Sequence, residues 1–322
     1  MSVTIDPGAD FETNFEILYG ELRKQLPGNA AKWKLFACLV IGILCLKTVN
    51  LTDIALAGPE RTRPESFYRR LQRFFQNFDF PRVAFARLLL SLFPGDKHSL
   101  TLAMDRTNWK FGRRHINILQ IGAVFGGVLY PLVWKTLPQE TGRGNSDASH
   151  RRGLMNELLK AVPAGNIKCL LMDREFNGRE WLGWLDGRNI PFSLRVKGNA
   201  LLDGESVKSL AGKAAGTSGG QTIREGQGCP VFFAAGELRG GDEKWLLVIG
   251  NRHSGKELLE LYRLRWGIEC FFGHLKSKGF DFEQTHMTEA GRIDKLMGAL
   301  ALAFVFSHRR GLEVEEAEKK LP

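Results

Sequence analysis

Near His98 the hydrophobic period of the chain changes, and that change limits what the chain can fold into. Downstream, residues 99–105, 116–128 and 129–137 are apolar runs of strand length. Gly126-Gly127 makes a turn between the last two, which predicts three consecutive antiparallel strands. After a Gly, Ser and Asn loop at 143–150 and a helical period over 151–161, Ile167–Met172 is apolar without interruption and closed by Asp173. A run of that kind reads as a strand buried on both faces. A helix over 178–186 and a strand over 191–196 follow.

A three-stranded meander leading through helices to buried strands predicts a mixed α/β layer structure, with the ribonuclease H-like arrangement as the natural candidate. Residues 204–228 then carry Gly212, Gly216, Gly219, Gly220, Gly226 and Gly228 among small residues, too few to hold a core of their own. With strands at 231–235 and 245–249, this stretch reads as a β-rich insertion with mobile loops. A final long helix is predicted from about 256 to 278.

Upstream of His98 the chain reads as helical. Residues 32–47 are apolar nearly all round and 51–57 suit a short second helix. Gly58-Pro59 breaks the chain ahead of Thr62-x-x-Glu65, which has the form of a capping box. On the helix expected from there, Phe67, Leu71, Phe74 and Phe78 share one face while Arg69, Arg70 and Arg73 lie on another. The order suits a helix-turn-helix whose last helix enters a major groove; it suits equally an amphipathic helix with a solvated basic face.

Forty-five Lys and Arg against 35 Asp and Glu give a formal charge of +10, and the pI is near 9.5. Such a field favours an anionic partner, nucleic acid ahead of a membrane surface. The longest apolar run, 35–46, has twelve residues where a span needs about 20, so it reads as a buried helix. With 43% hydrophobic residues the chain is not disordered as a whole. Residues 1–12 hold Asp6, Asp10 and Glu12 and no Lys or Arg, unlike a secretory signal, so a cytoplasmic protein is expected. Five scattered cysteines without a C-x-x-C pair indicate reduced thiols, neither a disulfide framework nor a zinc ribbon.

Two aspartates close two predicted strands in the same phrase, Met104-Asp105-Arg106 and Met172-Asp173-Arg174. Carboxylates at strand ends point into the crevice where open α/β sheets hold ligands, and two of them suit hard metal ions; an Asp there also commonly caps a turn. On the predicted 256–278 helix, Tyr262, Arg265, Glu269 and Lys276 fall within about 60° of one another. Leu261, Leu264, Ile268, Phe271 and Leu275 form a separate apolar stripe. The polar stripe would line the crevice, unless it is only a surface ladder of ion pairs.

Here the sequence resembles the DDE transposases of bacterial insertion sequences, in the insertion-sequence-four branch. Their signature Y-x2-R-x3-E-x6-K is matched at every spacing by Tyr262, Arg265, Glu269 and Lys276. The segment Asp173-Arg174-Glu175-Phe176 is similar to the family's D-R-x-F phrase, and Asp105-Arg106-Thr107-Asn108-Trp109 to its first aspartate segment. The resemblance covers roughly residues 100–304. It implies Asp105, Asp173 and Glu269 as a catalytic, metal-binding triad for two Mg²⁺ ions, with Mn²⁺ substituting. It implies DNA contacts by Tyr262, Arg265 and Lys276, and a base-holding role for Trp245, which as a lone tryptophan also suits a core position. Trp266 is a candidate for stacking on a base, or packs. The implied catalytic domain spans 96–310, interrupted by a β-rich insertion at about 200–245. A helical DNA-binding domain at 1–95 precedes it and a charged tail at 311–322 follows.

Phosphodiester cleavage needs an activated water, a stabilised leaving oxygen and in-line geometry, which paired divalent ions on carboxylates supply. The resemblance therefore implies cut-and-paste transposition: binding of double-stranded DNA at terminal inverted repeats, strand cleavage through a hairpin intermediate, joining to target DNA, and a homodimer pairing two ends. Two alternatives remain open from the residues, a catalytically inactive DNA-binding regulator of transposition and a ribonuclease H-like host nuclease.

Overall fold

In a computed structural model of the chain, the structure describes residues 11–59, 62–138, 146–213, 224–226, 228–238, 243–276 and 279–319. Residues 1–10 of the segment read for a signal, 143–145 of the loop, 214–223 and 227 of the Gly-rich stretch and 277–278 of the predicted helix lie outside those residues.

Helices α1 (Phe11–Gln25), α2 (Ala30–Leu46), α3 (Leu51–Leu56), α4 (Pro64–Asn77) and α5 (Arg82–Leu92) form the first part. The Asn29 side chain caps α2 by accepting from the Ala31 and Lys32 amides, and Lys47 ends it in the left-handed region at φ 53°. All of α2 from Leu35 to Leu44 is buried, as an apolar run requires. The capping box expected at Thr62 is not formed. Arg63 is the cap residue and makes no side-chain cap bond, because Pro64 at the first helical position presets the backbone and has no amide to satisfy. On α4 the Phe67, Leu71, Phe74 and Phe75 side is buried while Arg69, Arg70 and Arg73 are exposed.

Strands β1 (Leu100–Phe111), β2 (Arg114–Phe125) and β3 (Val128–Thr136) form the antiparallel meander, turned at Gly126 and Gly127 with φ 58° and 78°. Only glycine takes two such residues in succession at little cost. Then come α6 (Ala148–Leu159), β4 (Ile167–Met172), α7 (Arg179–Asp186) and β5 (Phe192–Arg195), with β4 parallel to both β1 and β5. A small hairpin of β6 (Leu201–Leu202) and β7 (Glu205–Ser206), α8 (Val207–Lys213), β8 (Arg224–Gly226), β9 (Cys229–Glu237) and β10 (Trp245–Gly250) follow. The main sheet has the order β3-β2-β1-β4-β5-β10-β9-β8. This mixed sheet with helices is compatible with a ribonuclease H-like domain. Strands β9 and β10 continue it from β5.

Two expectations about helices are corrected. The predicted 256–278 helix is two, α9 (Gly255–Arg263) and α10 (Trp266–Leu275), broken at Leu264 and Arg265. Nor is it the last: α11 runs from Ala290 to Glu318, through the charged end of the chain. Its buried stretch from Leu296 to Phe306 packs on β3 and α2. Trp33, Phe36, Phe74, Phe78, Phe80 and Phe85 form one aromatic cluster that reaches Trp134 on β3, so the helices and the sheet share one core. Among the described residues no helix is long and apolar enough to cross a membrane.

Asp294 locks α11 to that core. Its carboxylate accepts from the Thr136 amide at 2.8 Å, the Thr136 hydroxyl at 2.7 Å and Arg82 Nη1 at 3.1 Å, while its carbonyl accepts from Trp134 Nε1 at 2.9 Å. Asp294→Ala leaves the Thr136 amide without its acceptor and Arg82, still held by Glu157, without one of its two carboxylates, and we expect a loss of about 3 kcal/mol by urea denaturation. Asp294→Asn, which keeps one acceptor oxygen, should lose clearly less.

Candidate active site

The parallel register pairs Met104 on β1 with Met172 on β4, so Asp105 and Asp173 follow at one level on strands about 4.8 Å apart. Asp173 stands just past β4, as expected. Asp105 does not end its strand: β1 continues six residues beyond it, paired with β2, and holds Asp105 opposite Gln120. The apolar period stops there because the extension is a two-stranded ribbon, exposed at Asn108 and Lys110 and buried at Thr107 and Trp109.

The break between α9 and α10 brings the Tyr-Arg-Glu set over these carboxylates. Tyr262 hydroxyl donates to Asp173 Oδ1 at 3.4 Å, and Arg265 Nη1 donates to Asp105 Oδ2 at 2.8 Å. Arg265 Nη2 bonds Glu269 Oε1, so one guanidinium spans two of the three acids. It is 9% exposed and works as a buried counter-ion, not as one rung of a solvated ladder. Lys276 stands apart from this group, donating to the Asn108 carbonyl at 3.2 Å and pairing with Glu283 at 2.7 Å.

Burial pushes the Asp105 carboxyl up to about 6, against the opposing pull of Arg265 and the Arg106 amide. Tyr262 is raised to about 12, again by burial, so its hydroxyl stays protonated. For Arg265 burial opposes the charge, and Tyr262 together with the acids Asp105, Asp173 and Glu269 outweighs burial and holds it above its ordinary value.

A second layer ties the two aspartate segments together. Arg106 forks onto Glu175 through Nε at 2.7 Å and Nη2 at 2.9 Å. Arg151 on α6 donates to the Glu175 carbonyl at 3.0 Å and lies over the Phe176 ring. Sequence reasoning singles out none of the three, although the repeated Met-Asp-Arg phrase holds Arg106 in view. Arg174 reaches Glu243 at 2.7 Å, Arg195 bonds the same carboxylate, and the Arg174 bond holds the Glu243 carboxyl below the usual range. Glu243 precedes Trp245 by two residues, and β10 runs antiparallel to β5, so half-buried Trp245 starts its strand at the Asp173 end of the sheet. It packs against the core with Lys244 over its ring. Trp266 at the head of α10 is 64% exposed. Arg69, Arg70 and Arg73 are on α4, in the helical part.

The family model described as the transposase DDE domain matches residues 99–306, well over half of the chain. The chain belongs to this family. Membership brings a transposase function with DNA as substrate, and transposases of this kind use divalent metal ions, typically Mg²⁺. No curated protein matches the chain. Among the described residues no group of three or more His, Cys, Asp or Glu is arranged to hold a metal ion. The guanidinium of Arg265 lies between Asp105 and Glu269 and takes an oxygen of each. The donors themselves suit a hard cation: carboxylate oxygens on adjacent strands, with an unsatisfied amide beside them at Gln120.

A raised carboxyl pKa means that the folded state holds the proton more tightly. The stability Asp105 contributes is present below about 4 and lost as the pH rises through about 6, by roughly 3 kcal/mol at most. Asp105→Asn should therefore gain on the parent in denaturation free energy between about pH 4 and about pH 7. In Arg265→Gln, where the opposing charge is gone, the Asp105 carboxyl should titrate higher still by NMR, and an unchanged value would mean the pair does not form in solution.

Proposed function

We propose that the chain is the transposase of a bacterial insertion sequence in the insertion-sequence-four branch. It would bind the terminal inverted repeats of its element, cut both strands through a hairpin intermediate and join the freed 3′ ends to target DNA. What carries this reading is the meeting of Asp105, Asp173, Tyr262, Arg265 and Glu269 at one end of the β1–β4 pair. Asp105, Asp173 and Glu269 would hold the divalent ions, Mg²⁺ or Mn²⁺. Bound there, the ions supply a nucleophilic water and charge on the leaving oxygen.

The chain's own residues do the rest. Arg265 exchanges a carboxylate partner for a phosphate oxygen, which its planar fork matches equally well. Tyr262, kept protonated by burial, donates to a phosphate or to Asp173. Lys276 extends the positive track toward the β1–β2 tip, and Trp266, exposed at the head of α10, offers a face to a base. Trp245 would stack the base extruded when the 3′-OH attacks the opposite strand, a distortion costing a few kcal/mol that stacking offsets. The exposed arginines of α4 would grip the repeat, residues 1–95 forming the DNA-binding part and 96–310 the catalytic part. Two ends processed together call for a homodimer, and the work is cytoplasmic, on the nucleoid.

The test is cleavage of a labelled duplex carrying the repeat and its flank. Glu269→Gln should abolish Mg²⁺-dependent nicking by more than about a hundredfold while end binding stays near the parent level. Cutting near the parent rate would remove Glu269 from the site. Changing Arg69, Arg70 and Arg73 to Ala should weaken binding and reduce the salt slope by about 0.9 for each phosphate that is no longer neutralised. Trp245→Ala should lose hairpin formation more than first-strand nicking; equal loss of both would mean the ring only packs.

A further inference from the structure

Gln120 is fully buried in the middle of β2, and neither its amide nitrogen nor its amide oxygen has a hydrogen-bond partner. An amide in that state bears the desolvation of both groups with nothing in return, while a methionine would fill the same volume without that penalty. Packing therefore gives no reason for glutamine here. The neighbourhood does. Gln120 is the cross-strand partner of Asp105, and directly opposed residues project from the same face with Cβ atoms about 5 Å apart. The face is the one under α10: Val124, four residues further along β2, lies against Gly267 of that helix, two residues before Glu269. Asp105 from β1, Glu269 from α10 and the Gln120 amide thus share one face of the sheet.

We propose that Gln120 is a positioning residue of the carboxylate site, its amide holding a water shared with Asp105 that remains when a divalent ion binds there. The inference rests on the reading of Asp105 as a metal ligand. A carboxylate oxygen together with the amide oxygen and nitrogen gives such a water three polar partners, the usual number for a buried one. Partners of this outer kind orient the ligand and tune its affinity for the ion, typically by about ten- to a hundredfold. The balance of charge fits as well. Arg265 already draws one Asp105 oxygen toward Glu269 and the Arg106 amide takes the other, so a neutral amide can steer the carboxylate without competing for its charge.

Mn²⁺ binding to the full chain, followed by electron paramagnetic resonance, tests this beside the thermal midpoint. Gln120→Met should weaken Mn²⁺ binding about tenfold while leaving the midpoint unchanged or higher, because methionine fills the same volume and the amide makes no hydrogen bond to the protein itself. Gln120→Glu, which keeps an oxygen in place, should hold Mn²⁺ at least as well as the parent. Parent-like Mn²⁺ affinity in Gln120→Met overturns the proposal, and so does a parallel fall of affinity and midpoint, which would make the amide structural. Asp105→Asn separates the two ideas. If it binds Mn²⁺ like the parent, or the parent binds none, the metal reading of Asp105 fails and the role of Gln120 fails with it. If Asp105→Asn loses the ion and Gln120→Met does not, only the Gln120 role is lost.

Discussion

The pairing of Met104 with Met172 in a parallel register is the constraint on which the site depends. A slip by one residue would turn Asp105 to the other face of the sheet and leave Asp173 where it is. The register is fixed by burial, since β4 is apolar at all but Lys168 and the β1 residues beside it, Leu102, Ala103 and Met104, are fully buried. Two carboxylates at one level repel each other, and burial adds to the penalty. The Arg106–Glu175 fork ties the two segments at that point, and Arg265 brings a positive charge from the α9–α10 break, beyond the strands β8 to β10.

The helical part and the sheet are held by one element that periodicity does not reveal, α11. Its segment Leu296–Phe306 is buried on every side, so it has no amphipathic period to read; its signal is an unbroken apolar run of helical length. The same is true of α2, where the run does read as a buried helix. Both lie in the common core, and α11 packs on α2 across the boundary between the predicted parts, so that core runs from Phe15 to Phe306.

The three antiparallel strands and β4 were legible because each holds an apolar run of strand length, and the Gly126-Gly127 turn and Asp173 close two of those runs. The α9–α10 break was not. Tyr262, Arg265 and Glu269 keep helical spacing across it, and the apolar stripe of Leu261, Ile268, Phe271 and Leu275 continues beyond it. Leu264, counted in that stripe, is 45% exposed at the break, the cost of turning Arg265 inward. Lys276 marks the limit of the helical stripe as a guide to contact, because a full turn and more of α10 carries it to Asn108 on the β1 extension. Arg106, Glu175 and Gln120 were missed for another reason: each acts through a partner far along the chain, and no periodicity encodes that.

Charge gives the site its logic. The chain as a whole is positive and draws a polyanion, yet the centre toward which the DNA is drawn holds three carboxylates against one guanidinium. A phosphodiester approaching that centre is repelled until more positive charge arrives. Arg265 can answer to either anion, its own carboxylates or the incoming phosphate, but not fully to both. On the proposed reading, each oxygen it releases from Asp105 or Glu269 would become a donor for a cation, so substrate and ion would favour each other's binding through a single side chain without distorting the sheet that carries the aspartates.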